Sequence, residues 1–124
     1  MAQKGTDIIW AREILEAGKP VAIPTETVYG LAANALDENA VAKVFEVKNR
    51  PSFDPLIVHL ANKEKLNEYC SHIPDSFYQL YEAFCPGPLT FILPKSGKIP
   101  DLVAAGNPTV GVRFPDHPLT QELL

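Results

Sequence analysis

PTETVYGLAANALDENAVAKVFEVKNRPSFDPLIVHL, running from Pro24 to Leu60, is the stretch from which the fold can be read. It joins an extended run, a capped amphipathic helix and a second extended run. Its polar residues Thr25, Glu26, Thr27, Lys48, Arg50, Asp54 and His59 are massed at the joints. Just upstream, Val21-Ala22-Ile23 is apolar throughout, as a strand buried on both faces would be, and Pro24 ends it because proline has no amide for a ladder. Polar residues that follow such a strand belong on a sheet rim, where ligands bind in α/β folds. Asp37 is placed to cap a helix through Val47, with Val41, Val44 and Phe45 at helical spacing and Glu38 at the positive end of the dipole. That helix carries Lys48 and Arg50 to its C-terminal end. Pro51 forbids its continuation and biases Arg50 toward extended backbone, and Leu56 to Leu60 is the next strand.

Working outward toward the N-terminus, Thr6 or Asp7 can cap a helix whose Ile8, Ala11, Ile14 and Leu15 share a face, ended by Gly18 and Pro20. Thr27 to Ala32 reads as extended, with Gly30 marking a bulge or a close approach. Toward the C-terminus, Asn62 caps a short helix to about Tyr69. Asp75 begins another, whose Phe77, Leu80, Tyr81 and Phe84 form a stripe expected to pack in the core. Pro86-Gly87-Pro88 breaks it, and Leu89 to Leu93 and Thr109 to Phe114 are strands. Between them Lys95-Ser96-Gly97-Lys98 reads as a solvated turn, followed by a second turn around Leu102 and Val103. Helices alternating with short apolar strands imply a layered α/β sheet of mixed direction. His117-Pro118 opens a last helix with fewer than two turns before Leu124, so the 124 residues are expected to be a fragment of a longer protein.

Length and composition imply a single core, and no apolar run approaches the ~20 residues that span a bilayer. MAQKGTD has no apolar segment behind its lysine, so a secretory signal is not expected and a cytoplasmic location is. Cys70 and Cys85 form no CxxC and have no third thiol beside them, which predicts reduced, buried side chains and no metal site. The net charge of −4, from 11 basic and 15 acidic residues, argues against a purely electrostatic nucleic-acid binder and leaves room for small anionic ligands. The 12 prolines fall mostly at element boundaries, as punctuation.

Among chemical motifs, GxGxxG, HExxH and GxSxG are absent, and Gly97-Lys98 lacks the rest of a P-loop. Lys48-Asn49-Arg50-Pro51 is the sharpest basic feature. Two cations one residue apart can clamp two oxygens of one phosphate or carboxylate, although cations at a helix end also occur as a solvated face. Thr109-Val110-Gly111-Val112-Arg113 puts Thr109, Gly111 and Arg113 on one side of a strand, where an arginine can hold a carboxylate bidentately or form a rim ion pair.

Taken in order, PTETVYGL, Lys48-x-Arg50-Pro51, PLIVH, PGPLT and VRFPDHPL resemble the YrdC/Sua5 family from about Val21 to Leu124. The resemblance implies a YrdC-like (DHBP synthase-like) twisted mixed sheet flanked by helices, of which residues 1–124 would be a partial domain. It implies a threonylcarbamoyl-AMP synthase, condensing L-threonine, bicarbonate and ATP into threonylcarbamoyl adenylate and pyrophosphate for the t6A modification of tRNA. Lys48 and Arg50 would bind the phosphates as half of a KxR…SxN signature whose SxN half is missing here, which implies a catalytically deficient chain. Asp54 and Thr109 would help place the nucleotide, although the family commonly has asparagine at the position of Asp54. Thr27, His59 and Arg113 would hold threonine. Mg²⁺ is expected with ATP, and a downstream tRNA threonylcarbamoyl-transfer machinery is the expected partner. Within the same fold, a YciO-like paralogue, the carbamoyl-adenylate domain of hydrogenase-maturation proteins and a weak double-stranded RNA or tRNA binder are the other readings.

Overall fold

The computed structural model describes residues 5, 7–26, 29–51 and 54–124. Asp7 caps helix α1 (Ile8–Glu16), its carboxylate accepting from the amides of Ile9 and Trp10, while Thr6 lies outside the described residues. The helix ends at Gly18, whose φ of +81° is the left-handed conformation that glycine adopts without strain. Strand β1 (Val21–Ile23) pairs antiparallel with β2 (Gly30–Ala32), from Val21 opposite Ala32 to Ile23 opposite Gly30. This corrects the expectation of a strand buried on both faces. The two form a separate two-stranded ribbon, so only Ile23 is buried and Ala22 is exposed.

Helix α2 (Glu38–Lys48) follows the sequence pattern closely. Asp37 accepts from the amides of Asn39 and Ala40, and Ala40, Val41, Val44 and Phe45 are buried. At its end Asn49 takes a left-handed conformation, φ 51°, and the Arg50 amide reaches back to the Phe45 carbonyl at 2.9 Å. Asparagine is among the few residues with a side chain that visit this region readily. The turn directs the chain into β3 (Ile57–His59). A 3₁₀ turn capped by Asn62 leads into α3 (Leu66–Tyr69), and α4 (Asp75–Phe84) precedes β4 (Thr90–Pro94), β5 (Thr109–Arg113) and α5 (Pro118–Leu123).

The main sheet has the order β3-β5-β4, with β3 parallel and β4 antiparallel to the central β5, so its direction is mixed as expected. Alternation along β5 buries Val110 and Val112 against Val58, Phe91 and Leu93, and α4 covers that face through Phe77. Tyr81 packs beside it, with its ring edge-on to Phe114 at 4.9 Å. Leu80 and Phe84 depart from the expected stripe, at 42% and 58% exposed, because no described element covers the outer part of that helix face. On the opposite face of the sheet, His59 stands beside Arg113, and Gly111 lies between Ile57 and Ile92. A β-carbon at Gly111 would approach Thr90 Cγ2 to 3.3 Å, so this row is packed tightly around the glycine.

Candidate functional site

The end of α2 and the edge strand β3 line a cavity of about 530 Å³. Aliphatic side chains, among them Leu31, Val44, Leu56 and Val58, make most of the wall, and Lys48, Arg50 and His59 are the basic residues on it. An apolar hollow with a few placed cations suits a ligand that joins an anionic group to a flat or aliphatic body. Lys48 sits exposed in the last turn of α2, where its charge also complements the helix dipole.

Arg50 is held by the loop that follows it. Its Nε donates to the Asp54 carbonyl at 3.1 Å, and its Nη2 donates to the Pro55 carbonyl at 2.7 Å and pairs with Asp54 Oδ1 at 3.2 Å. With only a quarter of its side chain exposed, the guanidinium is fixed in place before any ligand arrives. The same contact places Asp54. Its carboxylate, unwelcome beside phosphates when bare, is partnered by the arginine and does not line the cavity itself.

His59 is half-buried and paired in register with Arg113. Burial lowers its pKa, and the Arg113 charge lowers it further against a smaller opposing effect of Glu26, so the imidazole is neutral at neutral pH. Arg113 in turn forms an ion pair with Glu26, the two side chains being 13% and 19% exposed. Glu26 also accepts the Asp116 amide at 2.7 Å. Burial opposes its ionised form, but the hydrogen bonds from Arg113 and the Asp116 amide outweigh that, and its pKa lies below the ordinary glutamate value.

The sequence-derived residues therefore divide. Lys48, Arg50 and His59 share the cavity, Asp54 joins through Arg50, and Arg113 joins through its register with His59. Thr109 does share the face of Arg113, but it lies at the far end of β5, opposite Pro94 and about 13 Å along the strand. Thr27 lies outside the described residues. Glu26 was legible as part of the polar set but received no role, and the one available signal was an opposite charge on the same sheet rim as Arg113. Of the supposed solvated turn, Lys98 is exposed, whereas Lys95 donates to the Ile99 carbonyl and pairs with Asp101 at 3.0 Å, bracing the turn. Both cysteines are free, and burial pushes the Cys70 thiol up to about 11. Among the described residues no three His, Cys, Asp or Glu side chains converge, and no helix is long and apolar enough to cross a membrane.

Residues 13–124 match the family model Sua5_yciO_yrdC, described as telomere recombination. A threonylcarbamoyl-AMP synthase of Pyrococcus abyssi (strain GE5 / Orsay) is 49% identical over 114 residues, covering 92% of this chain and 34% of the relative. The crystal structure of P. abyssi Sua5 complexed with L-threonine is similar with a TM-score of 0.93 and 46% identity, covering 98% of this chain and 36% of that one. The structure of E. coli YciO is similar at a TM-score of 0.82 with 26% identity, over 94% of this chain and 57% of that one. The chain spans about a third of the length of the Pyrococcus proteins.

Proposed function

From the premise that the chain belongs to the Sua5/YciO/YrdC family, we propose that it carries substrate-binding parts of a threonylcarbamoyl-AMP synthase acting in tRNA t6A formation. The observation that carries this reading is the cavity at which the Lys48 and Arg50 cations meet His59, with Arg113 in register beside it. Identity of 49% to a synthase, against 26% to YciO, favours the synthase over the paralogue.

In the proposed reaction the threonine amine adds to bicarbonate with loss of water, giving a carbamate. A carbamate oxygen then attacks the α-phosphorus of ATP, and pyrophosphate leaves from the opposite side. No protein nucleophile is needed, so the protein's work is to hold two anions together and to offset charge in the in-line transfer. Lys48 and Arg50 take the phosphates, with Arg50 already fixed by its loop and Asp54 serving it from behind. Arg113 takes the threonine carboxylate, and neutral His59 offers a hydrogen bond without adding a second positive charge. Thr27 completes the threonine contacts, and Thr109 is assigned to the nucleotide at the far end of β5.

Mg²⁺, when bound with the nucleotide, would neutralise phosphate charge. Asp54 and Glu26 are each engaged by an arginine, so the donor set suits an ion that travels on the nucleotide and its waters better than one held in a protein cage. The product is a reactive mixed anhydride, which a tRNA threonylcarbamoyl-transfer machinery in the cytoplasm would consume.

Incubation with ATP, L-threonine and isotopically labelled bicarbonate should give labelled threonylcarbamoyl-AMP by mass spectrometry, and omission of any one of the three should abolish it. Because no Ser-x-Asn occurs in the 124 residues, turnover should be ~30-fold to 1000-fold below that of a family member that has one, or ~2 to 4 kcal/mol of barrier. Pyrophosphate release that does not depend on threonine would contradict the assignment.

A further inference from the structure

Glu26 uses both of its carboxylate oxygens within the protein, and like Arg113 it stands beside the cavity of Lys48, Arg50 and His59 and is not part of its lining. Oε1 accepts from Arg113 Nη2, and Oε2 accepts from the Asp116 amide at 2.7 Å. The two donors flank Phe114-Pro115, both buried, so one carboxylate spans the point where β5 leaves the sheet. The same rim is tied a second time, because Thr120 Oγ1, buried in α5, donates to the Pro24 carbonyl. An arginine left to itself on a strand end samples many rotamers. One whose guanidinium meets a carboxylate fixed at its second oxygen by a backbone amide loses that freedom before substrate arrives. The pair also has no net charge, and His59 beside it is neutral, so this end of the sheet does not attract phosphate in competition with Lys48 and Arg50.

We propose that Glu26 is a positioning residue for the amino-acid substrate: it aims Arg113 at the substrate carboxylate and keeps the amino-acid end of the site distinct from the nucleotide end. This rests on the assignment of Arg113 to threonine made above. Glu26 would touch neither substrate. Its effect passes through Arg113, and the charge it supplies matters as well as its shape. A glutamine keeps the length and a carbonyl oxygen for the Asp116 amide but gives up the charged pairing with Arg113. An aspartate keeps the charge but is one methylene too short to span both donors.

The test is titration of the protein, Glu26→Gln and Glu26→Asp with L-threonine and separately with a non-hydrolysable ATP analogue, alongside thermal unfolding of each without ligand. Glu26→Gln should weaken threonine binding at least about 10-fold, the low end for loss of a charged hydrogen bond, and leave the ATP analogue within about twofold. Glu26→Asp should fall between Glu26→Gln and the parent for threonine, again with no change for the analogue. If Glu26→Gln does not fold, the threonine-selective loss in Glu26→Asp carries the test. Equal losses for both ligands in the folded variants would make Glu26 a structural residue and overturn the proposal. Tighter threonine binding in Glu26→Gln would overturn it as well, since Glu26 would then be a competitor for Arg113. A parent that binds threonine beside variants that bind it equally well overturns this proposal alone, whereas a parent that binds no threonine overturns it together with the functional reading.

Discussion

Arg113 and His59 lie side by side across the β3–β5 register, and the Arg113 charge helps to hold the His59 pKa below its ordinary value. Replacing Arg113 with alanine should raise the threonine requirement roughly 10-fold to 150-fold, the ~1.5 to 3 kcal/mol of a charged hydrogen bond, and change the ATP requirement far less. Separate titration of each substrate checks this, and equal losses would mean that Arg113 serves the nucleotide or only the fold. His59 gives a pH prediction whose sign follows from its depressed pKa. Between its unfolded value of about 6.5 and the lower folded value, the unfolded chain holds a proton that the folded chain refuses. Stability should therefore decline as pH falls through that window, and His59→Gln should flatten the decline in denaturant titrations across it. Glu26 acts lower on the scale. Its folded pKa is depressed, so its contribution is complete above the unfolded value of about 4.3 and is lost as pH falls through the folded one.

At the level of elements, α2 matters because it ends where the site begins. Asp37 satisfies the amides of Asn39 and Ala40, and Asp37→Ala should cost about 1 kcal/mol in chemical denaturation while leaving the affinity of the folded protein for an ATP analogue nearly unchanged. A large affinity loss in the folded variant would show instead that cap and clamp are coupled. This helix was legible from sequence because its cap, its apolar spacing and its terminator are all local signals. So were α1 with Asp7 and the alternation that buries Val110 and Val112 while leaving Arg113 on the other face. What could not be read was burial that depends on a distant neighbour. Val21-Ala22-Ile23 looks like an inner strand, but among the described residues its ladder partner is β2 alone, and Leu80 and Phe84 continue a stripe beyond the described elements that cover it. Glu26 and Arg113 are 87 residues apart, and no spacing rule joins them. The sequence offers Arg50 as half of a two-cation clamp or as part of a solvated helix end, and nothing in it shows that the side chain folds onto the Asp54 and Pro55 carbonyls.

Across the whole molecule, a net charge of −4 sits beside a site whose cations are few and locally placed. Such a distribution suits a nucleotide better than a polymer, because backbone binding of RNA recruits many phosphates and grows weaker with salt in proportion to their number. Lys48 and Arg50 are the residues that either ligand would use, so they decide between an enzyme and a weak double-stranded RNA or tRNA binder. Lys48 is exposed and its removal costs little, whereas Arg50 also ties the Asp54 and Pro55 carbonyls, so thermal unfolding of the variant is measured beside its binding. The most direct measurement is a calorimetric titration of a non-hydrolysable ATP analogue into the parent and the Lys48→Ala/Arg50→Ala variant, each also titrated with RNA at two salt concentrations. The phosphate clamp predicts that the variant loses nucleotide binding while any weak RNA affinity and its salt dependence barely move. Unchanged nucleotide affinity beside a collapsed RNA affinity, with a log–log salt slope smaller by up to about two units, would contradict it.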